Sequence, residues 1–281
     1  MIAYDRTHIV PLIFAFRGTI WPRVLPQMIA FTVVTTMLWL LDRHFGLVPR
    51  LDPLGHTLMG VTVGMLIVFR NNCSYDRFWE GRRLWGAIVG QSRIILRTAT
   101  AFMTAPTDEL ATLVVAYAHE LKDALRGSRT VRTADPTLLA WQMSDWINTQ
   151  YVAGKLDVAT ARALDNAVSS LMESQTGCER IQTTPLPFAY AVHLKQMLCF
   201  YLLTLPFVVL APMGAAAIPA VAIIAFGLLG VEKVGVEIED PFGSEANDLA
   251  IEAFCQQIAQ DANAMTALAS ARSAGAERRA A

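Results

Sequence analysis

From Thr57 to Phe69 the chain carries no charged residue, and then it passes without a break into Arg70-Asn-Asn-Cys-Ser-Tyr-Asp-Arg-Phe-Trp-Glu-Gly-Arg-Arg-Leu-Trp85. No proline follows until Pro106. Proline is the residue that most reliably breaks a helix from within. The stretch from His56 to Met103 therefore reads as one long helix. Its first half suits hydrocarbon and its second half suits water. Such a helix fixes where a bilayer ends and ties a membrane part to an aqueous part.

The rest of the composition agrees. Charged residues make up 17% of the 281-residue chain and hydrophobic residues 54%, against roughly 25% charged in soluble domains. Val24 to Leu41 holds no charge and ends at Asp42-Arg43, close to the roughly 20 residues a span needs. With Pro53 to Phe69 it makes a helical hairpin, in which Gly60 and Gly64 share one face at the spacing that lets helices approach. A charge-free run from Gln196 to Val231 is too long for one crossing and splits near Ala211-Pro-Met-Gly214. The expected architecture is all-α: a multi-pass membrane protein with four transmembrane helices and a cytosolic helical domain. Its segments are an interfacial lead-in over 1–23, spans one and two over 24–69, the cytosolic domain over 70–185, spans three and four over 186–236, and a cytosolic C-terminal segment over 237–281.

Arg70, Arg77, Arg82, Arg83, Arg93 and Arg97 follow the second span directly. Positive charge beside a span marks the cytoplasmic side. An even number of spans then leaves both termini in the cytosol. The first residues lack a basic region, an apolar core and a small-residue cleavage site, so the first span is expected to be retained. Within 70–185, helices are expected over 110–125, 137–151 and 157–180, and a further one over 249–268. The tail from Ser270 to Ala281 is small and polar and reads as disordered.

Enzyme chemistry finds no support: the chain has no GxSxG, P-loop, HExxH or CxxC motif. The net charge of −1 shows no nucleic-acid bias. The four cysteines have no paired spacing, which argues against a disulfide framework or a zinc ribbon. No ionisable side chain lies in the cores of spans one, two and four, which weakens a proton-coupled transporter. The better feature is a stripe. Val61, Met65 and Phe69 fall at i, i+4 and i+8, along one face of span two. Such a stripe packs against neighbouring helices or faces lipid in most helices. In a symmetric oligomer it becomes a stack of apolar rings that can gate by dewetting. Oxygen ligands suited to a hard cation recur between Glu232 and Asp248, without the spacing of an EF-hand.

Four segments in chain order resemble the prokaryotic branch of the bestrophin family: Phe16-Arg-Gly-Thr-Ile-Trp-Pro-Arg-Val-Leu-Pro26, the run from Arg70 to Trp85, Leu186-Pro-Phe-Ala-Tyr190 and Asp240-Pro-Phe-Gly-Ser-Glu-Ala-Asn-Asp248. The resemblance implies a homopentameric ion channel of the bacterial inner membrane, passing small inorganic ions passively along an axial pore. The family's neck positions fall on Val61, Met65 and Phe69, and its cytosolic constriction on Leu186, with Ile181 the second choice. Positions matching the calcium clasp of eukaryotic members are Glu237, Asp240, Glu245 and Asp248. Their acidic run is interrupted here by Ser244, Ala246 and Asn247, so no cofactor is expected. The family implies chloride or other anion conduction, and its prokaryotic branch cation conduction, sodium among them. The alternative is a membrane-anchored helical scaffold without a pore.

Overall fold

The structure is a computed structural model that describes residue 16 and residues 18–103, 107–127 and 135–280, with side chains to residue 272. The expected interfacial lead-in therefore lies mostly outside the described residues. The described chain is helical and divides into two compact units, the first holding residues to Phe78, 185–240 and 245–247, the second 79–184, 241–244 and 248–281.

The first unit contains α1 (Trp21–Phe45), the leading half of α2 (Pro53–Phe102), α6 (Phe188–Met213) and α7 (Ala217–Glu239). Helix α1 begins with Pro22 in its first turn, where the missing N–H is lost at no cost. Gly46 ends it at φ 64°, donating its N–H to Asp42 O at 2.9 Å. The hydroxyls of Thr32, Thr35 and Thr36 donate to the carbonyls four residues back at 2.7–2.8 Å. An apolar surround leaves such hydroxyls no water, so their own backbone satisfies them. At the start of α2, Leu54 N–H donates to Asp52 Oδ1 at 2.7 Å.

Helix α6 follows its N-cap Pro187, whose ring fixes φ (−53°) and whose ψ of 127° is extended. A 3-10 turn at Gly214–Ala216 separates α6 from α7, at the place where the long apolar run was expected to split. Val24, Val63, Ile67, Leu198, Val221 and Ala225 meet in the core of this unit. Trp21 stacks on Phe226 at 4.3 Å, binding α1 to α7. Of the glycine pair on α2, only Gly60 meets a neighbour within the chain: a Cβ there would lie 3.0 Å from the Tyr201 ring, and one at Gly64 would touch nothing within 4 Å.

The second unit contains the trailing half of α2 with α3 (Asp108–Leu125), α4 (Pro136–Val152), α5 (Val158–Thr183) and α8 (Ile251–Ala280). Its core is large-residue packing: Trp85, Ile88, Ile95, Leu121, Met143 and Leu171 are all fully buried. Asp135 caps α4 by accepting from Thr137 N–H, and Asp157 caps α5 by accepting from Ala159 and Thr160 N–H. Those hydrogen bonds, from the Thr160 hydroxyl first, hold the Asp157 carboxyl below its usual range. The Tyr117 hydroxyl donates to Leu171 O at 3.1 Å, and burial raises its pKa.

The tail departs from expectation. Instead of dissolving at Ser270, α8 continues to Ala280. The tail is rich in alanine and arginine, which favour helix. Arg272 also donates to Ala101 O at 3.0 Å and Met103 O at 2.8 Å. It thus satisfies carbonyls that the end of α2 leaves unpaired.

Candidate functional site: an exposed apolar stripe and a buried charge network

Helix α2 presents two different faces in the first unit. Val63 and Ile67 are buried at 0% and 3% exposure. Val61, Met65 and Phe69, on another face, are 66%, 59% and 50% exposed. Packing within the chain therefore does not account for the stripe. Both its ends meet polar structure. Toward the start of α2, His56 stacks on the Tyr201 ring at 4.3 Å. Beside it a cleft of about 760 Å³ runs between α2, α6 and α7, lined by Gly60, Val61, Tyr201, Leu205, Ile224 and Leu228 among others.

At the other end, directly after Phe69, the chain buries a charge. Arg70 is 2% exposed. Its guanidinium donates to Glu232 O at 2.8 Å and to Glu239 Oε2 at 3.0 Å, and lies 3.6 Å from Glu232 Oε1. Asn71 Nδ2 donates to Val231 O at 3.2 Å. A Cβ on Gly235 would collide with that amide, so a larger residue here would displace the Asn71 side chain. Arg77 Nε donates to Glu239 O at 3.0 Å. Leu186 N–H donates to Glu239 Oε1 at 3.3 Å. Arginine suits this place because its fork serves several acceptors at once and remains charged when buried.

The two residues proposed for a cytosolic constriction are placed differently. Leu186 is partly buried in the first unit, beside Glu239. Ile181 is 3% exposed and belongs to the second unit. Among the acidic positions, Arg23 pairs with Glu237 at 3.1 Å and with Glu245 at 2.7 Å. Asn247 Nδ2 also donates to Glu237 Oε1 at 2.8 Å and to Gly18 O at 3.1 Å. Asp240 follows the last residue of α7, and Asp248 is 4% exposed in the second unit. Among the described residues no three His, Cys, Asp or Glu side chains gather as a metal site. An arginine held between two of these carboxylates does not fit a calcium ligand set.

Sequence reasoning passed over the Arg70–Glu232–Glu239 network, although a signal was there. Arg70 and Glu232 are each the first charge after a charge-free run. Two such residues on helices that both leave the apolar zone are natural partners at one depth.

Among the described residues, three helical segments, Trp21–Phe45, Pro53–Phe102 and Phe188–Glu239, are long and apolar enough to cross a membrane. The last is two helices joined by the turn at Gly214. With their satisfied hydroxyls and long charge-free runs, they define a helical membrane protein. Comparison with known sequences makes this specific. The profile of a family described as bacterial/fungal bestrophin protein matches residues 1–141 and 130–264, and the chain belongs to that family. A voltage-dependent anion channel-forming protein of Mesorhizobium japonicum is 35% identical over 277 residues, covering 91% of this chain and 89% of the relative. A protein of the same description from Nostoc is 30% identical, covering 94% and 93%. A crystal structure of a bacterial bestrophin homolog from Klebsiella pneumoniae, a point variant, superposes with a TM-score of 0.79 at 25% identity, over 87% of this chain and 99% of its own. These relatives are channel proteins and not enzymes.

Proposed function

We propose that this chain is one subunit of a homopentameric channel that conducts small monovalent ions passively, with the α2 stripe lining an apolar neck. The observation that carries the reading is the contrast on α2. Val63 and Ile67 pack inside the subunit while Val61, Met65 and Phe69 remain exposed on a helix rich enough in apolar residues to cross a membrane. Repeated about an axis, the exposed face closes into stacked rings of Val, Met and Phe. In this reading α1, the leading part of α2, α6 and α7 each cross the inner membrane. Both termini and the second unit are then cytosolic, and Leu186 forms a second constriction.

Anion conduction is the first choice, because the similar proteins of Mesorhizobium and Nostoc carry that description. Phe69 adds a ring whose edge is partly positive and suits anions. Cation conduction, with sodium as the ion, is the second. It is favoured by a neck that is aliphatic at two of its three positions, Val61 and Met65. Calcium is not required, since Arg23 already bridges Glu237 and Glu245.

Reversal potentials of the purified protein in a planar bilayer, under asymmetric NaCl, test this directly. A shift toward the chloride equilibrium potential supports the first choice, and a shift toward sodium the second. No current under any gradient contradicts both and favours a scaffold without a pore. Chelating calcium is expected to leave the currents unchanged, and their loss would overturn the role given to Arg23.

A further inference from the structure

Glu239 is the last residue of α7 and uses both carboxylate oxygens on different parts of the first unit. Oε2 accepts from Arg70 at 3.0 Å, and Arg70 immediately follows Phe69. Oε1 accepts from Leu186 N–H at 3.3 Å. Leu186 lies between Pro185 and Pro187, neither of which has an N–H. Its amide is thus the only backbone donor that this three-residue stretch can offer. The main-chain oxygen of Glu239 takes a third bond, from Arg77 Nε at 3.0 Å, one and a half to two turns further along α2. The Glu239 side chain is 20% exposed and that of Arg70 3%, so the bond between them is largely shielded from solvent.

We propose that Glu239 is a positioning residue that ties the neck face of α2 to the Pro185-Leu186-Pro187 aperture, so that the two constrictions move together. The inference rests on reading Val61, Met65, Phe69 and Leu186 as constrictions. The physical link does not depend on that reading. A carboxylate with one oxygen on each side holds both only while α2 and the proline stretch keep one spacing. A shift of Arg70 along or around α2 pulls Glu239 with it, and Leu186 loses its acceptor.

Two measurements test the link, the first of them independently of the pore. The first is hydrogen exchange at Leu186, compared between E232Q and the double variant R70Q/E232Q. The double variant removes the buried cation together with its buried partner, leaving no unpaired charge at Glu232. Arg70 does not touch Leu186 in the pairings above. Its removal is nevertheless expected to speed Leu186 exchange roughly tenfold or more, the scale of one charge-assisted hydrogen bond. Equal exchange in the two proteins would overturn the proposal.

The second is a double-mutant cycle on single-channel conductance, F69A against L186A, in the wild-type and E239Q backgrounds. Non-additive effects in the wild type that become additive in E239Q support the coupling. Non-additivity that persists in E239Q overturns it. If neither single substitution changes the current, the pore reading fails, and the exchange experiment alone decides whether Glu239 carries the link.

Discussion

Arg70 is the residue whose removal should matter most to stability. It is buried against Glu232, whose side chain is 4% exposed, whose Oε1 lies 3.6 Å from the guanidinium and accepts no hydrogen bond, and whose Oε2 has the longer contact to Lys233 Nζ at 3.7 Å. Removing one member of a buried ion pair strands the other, at about 3–5 kcal/mol. R70A is therefore expected to lower the thermal unfolding midpoint strongly, and R70A/E232Q to recover much of the loss; equal midpoints for wild type and R70A would contradict this. The cysteines give a milder check. Cys178 and Cys255 are fully buried, and burial pushes each thiol up to about 12. Since the thiolate is the reactive form, neither should label with a maleimide at neutral pH until the protein is unfolded. Labelling of either in the native protein would show that the second unit opens readily.

The helices of the second unit pack through a few close contacts that single substitutions can probe. A Cβ on Gly81 would lie 3.1 Å from the buried Phe242 ring and 3.2 Å from Pro241. Neither neighbour is a flexible chain end, so G81A should destabilise by about 1–3 kcal/mol, as overpacking does. A midpoint unchanged in denaturant would contradict that. Lys122 on α3 donates to Glu252 on α8 at 3.0 Å. Desolvation works against the charged Lys122, but the Glu252 hydrogen bond and nearby acids outweigh it and raise its pKa; the same bond lowers that of Glu252. The lowered carboxyl contributes stability above its unfolded pKa, lost as pH falls through the folded one. The raised ammonium contributes below its unfolded pKa, lost as pH rises through the folded one. Stability from the pair is thus present between the two and fades at both ends. At an exposed site it is worth less than about 1 kcal/mol. E252Q should flatten the acid limb of stability against pH, and an unaltered limb would remove the pair from the account. These elements were largely legible in the sequence, because the local pattern that marked helices over 110–125, 137–151 and 157–180 depends on residues close in the chain. The end of α8 was not: its small, polar composition reads as disorder, and the contact that uses Arg272 lies 169 and 171 residues away.

For the whole molecule, periodicity and charge placement marked the apolar helices, the turn at Gly214 and the Val61/Met65/Phe69 face. All three depend on residues close in the chain. The network around Glu239 escaped because its partners Arg70 and Leu186 stand 169 and 53 residues away, and no spacing rule reaches so far. The acidic positions were visible as composition, but composition does not reveal that Arg23 sits between Glu237 and Glu245. The central claim is that the exposed face of α2 lines the path of the ions. Single-channel recording of V61A/M65A/F69A beside the wild type tests it most directly. Unitary conductance or open probability is expected to change several-fold when the apolar rings are trimmed, because a wider neck dewets less readily. Currents indistinguishable from wild type would place the ion path elsewhere.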